Sequence, residues 1–254
     1  MMSGIAKRLS AALAAALLVL ALTGINGTFV RPRAENAGDY RGLAARLETL
    51  FPRDESHDYA APAPGSYTLA PIKRAGDGEV LDTDGRAHRL SSLLAGRITV
   101  LGFVYTLCSD ARGCPLAMAT LYDIFDASEK LPEIAGRAQL LTLSFDPGRD
   151  TPEVMRAYGT PVAADRGRAK KLPWRFLTTA SAKKLAPILA TYGQVIDQRA
   201  DSEVISHLLR LYLIDRSGRV RNIYGSATLD PRLLFGDIVT LMMEDDGIGP
   251  KPKS

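Results

Sequence analysis

The sequence predicts an α/β domain, a central mixed sheet flanked by helices, following an N-terminal membrane anchor or signal peptide. Three observations carry this. Two near-continuous apolar runs, RITVLGFVY (97–105) and AQLLTLSF (138–145), read as central strands buried on both faces. Segments of helical period alternate with them, which implies layers of helix on sheet. The chain then closes on a hairpin signal and a last helix.

Taken in order, YTLAPI (67–72) and GEVLDTDG (78–85) read as two short strands, with Asp84-Gly85 as a tight turn. The strand Arg97–Tyr105 follows. Leu116 to Lys130 then repeats its small and apolar positions at Leu116, Ala119, Thr120, Ile124 and Ala127, a helical period behind Pro115. After the second buried strand, Asp150-Thr151-Pro152-Glu153 places a cap candidate and a proline at the start of a helix. Trp174 to Leu177 is a short strand, and Ser181 opens a helix to about Tyr192. Leu208 to Ile214 and Arg219 to Tyr224 pair across Asp215-Arg216-Ser217-Gly218. Asp230-Pro231 begins the last helix, to about Met243. Ending on an antiparallel hairpin and a helix is the thioredoxin-like arrangement. In open α/β sheets the chemistry sits at the carboxyl ends of strands, and the loop after Tyr105 is at such an end.

The N-terminus has another composition. Lys7 and Arg8 precede LSAALAAALLVLAL (9–22), a basic flank followed by an apolar stretch, as in an export signal. No clear small-residue cleavage site follows. The run falls just short of the roughly 20 residues of a spanning helix, and it reads as an uncleaved anchor in preference to a cleaved signal. Either way the domain is expected on the periplasmic side of the cytoplasmic membrane, anchored or released. The organisation is therefore a leader over 1–25, a polar linker region over 26–64 that holds a short helix from Ala34 to Leu50, a domain over 65–245 and a flexible tail over 246–254.

Bulk composition excludes little else. The 254 residues are 46% hydrophobic and 24% charged, with 32 basic and 28 acidic side chains, which is ordinary for a globular protein. No basic run with interleaved aromatics is present, so nucleic acid is not an expected partner. There is no phosphate-binding loop. Asp146 and Asp150 read as loop and cap residues, not as an acid–base pair.

Both cysteines of the chain lie in CSDARGCP (108–115), between a buried strand and a helix that begins near Pro115. A helix N-terminus offers free N–H groups and partial positive charge, both of which favour thiolate over thiol. A thiolate is the nucleophile of disulfide exchange and also the soft ligand for Cu(I). Position therefore marks Cys108 and Cys114 as reactive without choosing the reaction. A closed zinc site wants four ligands, and only His57, His88 and His207 accompany the pair. His57 lies in a polar segment and His88 in a turn-like region. A lone histidine at 207, directly before an apolar strand, reads on its own as an edge residue. Met118, one turn after Cys114, is a core candidate before it is a soft ligand.

Several stretches resemble, in order, the Sco/SenC family of thioredoxin-fold proteins implicated in assembling the copper centre of cytochrome c oxidase. LGFVYTLC (101–108) is similar to the strand leading into that family's first cysteine, and Cys114-Pro115 to its second cysteine and proline. LTLSFDPGRDTPEVMRAYG (141–159) resembles its S-x-D-P-x-R-D-T block, and SHLLRLYLIDRSGRVRNIYG (206–225) its histidine–strand–hairpin block. The similarity runs from about Gly65 to Met243. One departure is visible: the family spacing is C-x-x-x-C, whereas here it is C-x5-C, with Gly113 free to supply unusual backbone angles before the helix. Asp110 and Arg112, inside the lengthened loop, read as exposed polar residues open to a partner.

The resemblance implies one copper ion per chain, Cu(I) or Cu(II), held by Cys108, Cys114 and His207. It implies a metallochaperone with no turnover chemistry, whose partner is a copper-receiving oxidase subunit or another client. Two other readings use the same atoms: a thiol–disulfide oxidoreductase with Cys108 and Cys114 as its redox pair acting on a partner's cysteines, and a redox or copper sensor.

Overall fold

Two strands buried along their whole length set the centre of the structure, a computed structural model that describes residues 39–52, 58–108, 110–165, 167–198 and 205–249. The leader, His57 and the last residues of the tail lie outside the described residues. The elements of the first half are α1 (Tyr40–Leu50), β1 (Lys73–Arg74), β2 (Glu79–Leu81), β3 (Ala87–Arg89), α2 (Leu90–Leu94), β4 (Ile98–Val104), α3 (Cys114–Ala127), α4 (Pro132–Ala135) and β5 (Ala138–Ser144). The second half adds α5 (Pro152–Tyr158), α6 (Thr160–Ala164), β6 (Trp174–Leu177), α7 (Ala182–Tyr192), β7 (Ile196–Gln198), β8 (Ile205–His207), β9 (Leu211–Ile214), β10 (Arg219–Tyr224) and α8 (Pro231–Asp245).

The main sheet runs β1-β10-β9-β4-β5-β6. Strands β4, β5 and β6 are parallel, with Val104 opposite Ser144, while β9 joins β4 antiparallel and β10 and β1 follow antiparallel. All seven residues of both β4 and β5 are buried. This is why they read as unbroken apolar runs. Two small hairpins, β2–β3 and β7–β8, stand apart from the main sheet, β2 being tied to the end of β6 by a bridge between Leu81 and Thr178. The mixed sheet flanked by helices matches the thioredoxin-like expectation.

Caps fix the helix starts as the sequence indicates. Thr151 and Ser181 accept at their side chains from the N–H groups of Val154 and Lys184, and Asp230 from Arg232. Helix α3 opens at Cys114 with Pro115 in its first turn, where a missing N–H costs nothing. Among the described residues no helix is long and apolar enough to cross a membrane.

Two local expectations change. No strand spans 67–72: Pro71 cannot donate to a ladder, and the Leu69 carbonyl accepts from Arg221 Nε instead. Pairing starts with the Ile72 N–H to the Val220 carbonyl, and the strand itself is Lys73–Arg74. At the other end, the apolar strand begins at Leu211, and His207 closes the separate hairpin β7–β8. These three-residue strands are too short to carry a period.

Candidate metal centre

The site forms where β4 ends and α3 begins. After Val104 the chain leaves the sheet, and the Cys108 N–H donates to the Tyr105 carbonyl at 3.2 Å. The loop closes on Asp110, whose side chain accepts from the Arg112 N–H at 3.0 Å and whose carbonyl accepts from the Gly113 N–H at 2.8 Å. A Cβ on Gly113 would stand 3.2 Å from that carbonyl oxygen, so the tight return favours glycine. The extra length of the C-x5-C loop is thus taken up in a turn, and Cys114 is still the first residue of the helix. Asp110 and Arg112 are exposed.

A buried carboxylate braces this loop. Asp150, 1% exposed, accepts from the Thr106 N–H at 3.2 Å and from the hydroxyls of Thr106 and Ser144. It ties the ends of β4 and β5 together two residues before Cys108. Asp146 packs beside it, and burial, reinforced by the neighbouring Asp150, raises its carboxyl above the usual range. Asp150→Ala leaves three donors without their acceptor and is expected to lower unfolding stability by about 3 kcal/mol. Chemical denaturation measures this, and a loss under about 1 kcal/mol would remove Asp150 as the brace.

His207 arrives from β8. Its Nδ1 lies 3.2 Å from the Ile205 carbonyl and its Nε2 lies 3.5 Å from Cys114 Sγ. A carbonyl only accepts, so Nδ1 carries the proton and the Nε2 lone pair faces the sulfurs. The ring is wedged between Phe145, centroids 4.6 Å apart, and the edge of Tyr105 at 5.8 Å. One donor atom each from Cys108, Cys114 and His207 lies within 4.8 Å of the others. Bonds of about 2.0–2.3 Å to a shared ion place ligand atoms about 3.5–4 Å apart, so only a small contraction would be needed for the three to share one metal.

Both thiols are free, Cys108 half-buried and Cys114 2% exposed. The helix N-terminus does not dominate at Cys114. Burial pushes its thiol well above the ordinary value, the neighbouring Cys108 adds to this, and backbone N–H groups offset it only in part. That corrects the sequence expectation for this residue, since apolar packing is not visible in the loop's residues. A bound cation would reverse the balance and deprotonate a coordinating thiol. Two soft sulfurs and one imidazole suit Cu(I) and do not complete a zinc site.

The other candidates are placed elsewhere. His88 lies on β3 and not in a turn, its Nε2 pairing with Asp82 at 2.7 Å, and Met118 is buried in the core on α3. Sequence reasoning did not single out Tyr105 and Phe145, the rings around His207. Their only signal is an aromatic residue at the end of each buried strand.

A family model described as SCO1/SenC matches residues 72–243. No curated protein is matched. Among solved structures, a SCO1/SenC family lipoprotein from Bacillus anthracis str. Ames is 22% identical, with 69% of this chain and 99% of that chain covered and a TM-score of 0.54. Arabidopsis thaliana ScoI, solved with copper bound, is 22% identical over 67% of this chain and 98% of that chain, TM-score 0.53. A putative electron transfer protein from Aquifex aeolicus VF5 is 19% identical over 69% of this chain and 92% of that chain, TM-score 0.51. At such identities the likeness is one of fold.

Proposed function

Because the chain belongs to the SCO1/SenC family, we propose that it is a copper-binding assembly factor. It holds one copper ion, Cu(I) or Cu(II), through Cys108, Cys114 and His207 and assists maturation of a copper site in a cytochrome c oxidase. The N-terminal leader, a basic flank before an apolar stretch, supports work on the outer side of the cytoplasmic membrane.

The observation that carries the reading is the convergence of two thiols and a lone-pair-bearing Nε2 within 4.8 Å. Thiolates select Cu(I), and imidazole accepts copper in either state. Loading releases the thiol protons to solvent, because a metal-bound sulfur is deprotonated. His207 coordinates through Nε2 while its Nδ1 faces the Ile205 carbonyl. Delivery then needs no electron transfer when copper stays Cu(I). Donors of the client replace the three ligands in turn, and the thiols recover their protons. Cys108, the more exposed sulfur, is the one a client reaches first.

The same difference in exposure favours a second reading, thiol–disulfide exchange. In it Cys108 attacks a partner's disulfide, and Cys114 displaces the mixed disulfide, leaving the partner reduced and this pair oxidised. A cellular test separates the roles. Cys108→Ser, expressed in place of the wild-type chain, is expected to leave the oxidase without its copper centre, and added copper is expected to restore it in part. Normal oxidase activity in that strain would end the delivery role.

A further inference from the structure

The donor set comes from two parts of the fold. Cys108 and Cys114 sit between β4 and α3, whereas His207 sits on β8, which pairs with β7 in a two-stranded sheet apart from the main one. Tyr105 reaches both. It is buried at the end of β4, with its ring against Phe145 at 5.1 Å and against His207. Its hydroxyl accepts from the Ile205 N–H at 3.4 Å, across 100 residues of sequence. Ile205 is also the residue whose carbonyl accepts from His207 Nδ1. One hydroxyl, on the residue whose carbonyl accepts from the Cys108 N–H, thus holds the residue that orients the imidazole.

We infer that Tyr105 is a positioning residue whose hydroxyl holds the histidine hairpin over the cysteine pair and so sets whether copper is bound by three donors or by two. This rests on the copper-binding reading for its consequence, though not for the tie itself. The oxygen matters and the ring does not suffice: ring contacts are non-directional, while the N–H to hydroxyl bond fixes where β8 stands along the site. Loss of one neutral hydrogen bond shifts an equilibrium by about 5-fold. Such a loss weakens the hairpin's hold on the metal without removing any ligand.

The test is Tyr105→Phe in the full, reduced chain, with three readouts. These are Cu(I) affinity by chelator competition, the nitrogen contribution to the copper shell by X-ray absorption, and amide exchange of Ile196–Gln198 and Ile205–His207 in the copper-free protein. The expected result is an affinity lower by about 5-fold, a reduced nitrogen contribution, and faster exchange confined to the hairpin. Ile205→Pro removes the other half of the bond at the first residue of a strand, a position that tolerates proline, and is expected to give the same signature. Wild-type exchange and a full nitrogen contribution in Tyr105→Phe would overturn the inference, as would faster exchange spread over the whole domain. If the wild-type chain itself takes no Cu(I), the copper reading falls, while hairpin-confined exchange in the variant still supports the tie.

Discussion

Cys114→Ser is expected to abolish tight Cu(I) binding, lowering affinity by more than the roughly 10–100-fold that loss of an outer-shell partner costs. A hydroxyl is a hard, neutral donor at neutral pH, and Cu(I) selects thiolate. The position is 2% exposed and opens α3, so no other side chain swings into its place. Chelator competition on the reduced variant reads the loss, and circular dichroism checks that the helix persists. An affinity within about 10-fold of wild type would mean that Cys114 is not a ligand.

The largest expected effect on folding lies far from the metal, at Arg221. Its side chain is 2% exposed and stands where the β9–β10 register shifts. It meets Asp215 at 3.0 Å and Glu244 at 2.6 Å, and it donates Nε to the Leu69 carbonyl at 2.6 Å. Removing one partner of a buried ionic network leaves the others desolvated and unpaired, at a cost of about 3–5 kcal/mol. Arg221→Ala is therefore expected to lower the thermal midpoint by roughly 10 °C or more. The sign with pH follows from Asp215. Burial alone would raise its carboxyl, but Ser217, Arg219 and Arg221 outweigh this and hold it below the usual range. A depressed carboxyl stabilises the fold above its unfolded value, about 3.9, and loses that stabilisation as pH falls through the lower folded value. The gap between wild type and Arg221→Ala is therefore expected to narrow as pH drops below about 4. A gap of the same size at every pH would count against the ionic account.

How much of this was legible depended on which forces act locally. The central strands β4 and β5 announce themselves because residues buried on both faces must all be apolar. The helix starts are legible because Thr151, Ser181 and Asp230 cap within three residues of themselves. The β7–β8 hairpin was not legible: three residues a side give no period, and its place is fixed by contacts with Tyr105 and Phe145, far off in sequence. The site divides in the same way. Cys108 and Cys114 stand out from their position between a buried strand and a helix. His207 stood out only through its resemblance to a family block, since alone it reads as an edge residue. The raised Cys114 thiol was not foreseen, because its burial comes from packing of α3 onto the sheet and not from the loop. The SCO1/SenC match over 72–243 agrees with the family that the residues themselves resembled.

In the proposed copper site His207 is the third donor beside Cys108 and Cys114. The most direct measurement titrates Cu(I) into the full, reduced chain against a calibrated chelator, for wild type and His207→Ala side by side. One tightly held copper per wild-type chain, weakened about 10-fold or more by the substitution, is the predicted result. Equal affinity in the two proteins would contradict it, and would leave a dithiol pair with a histidine that only packs against Phe145.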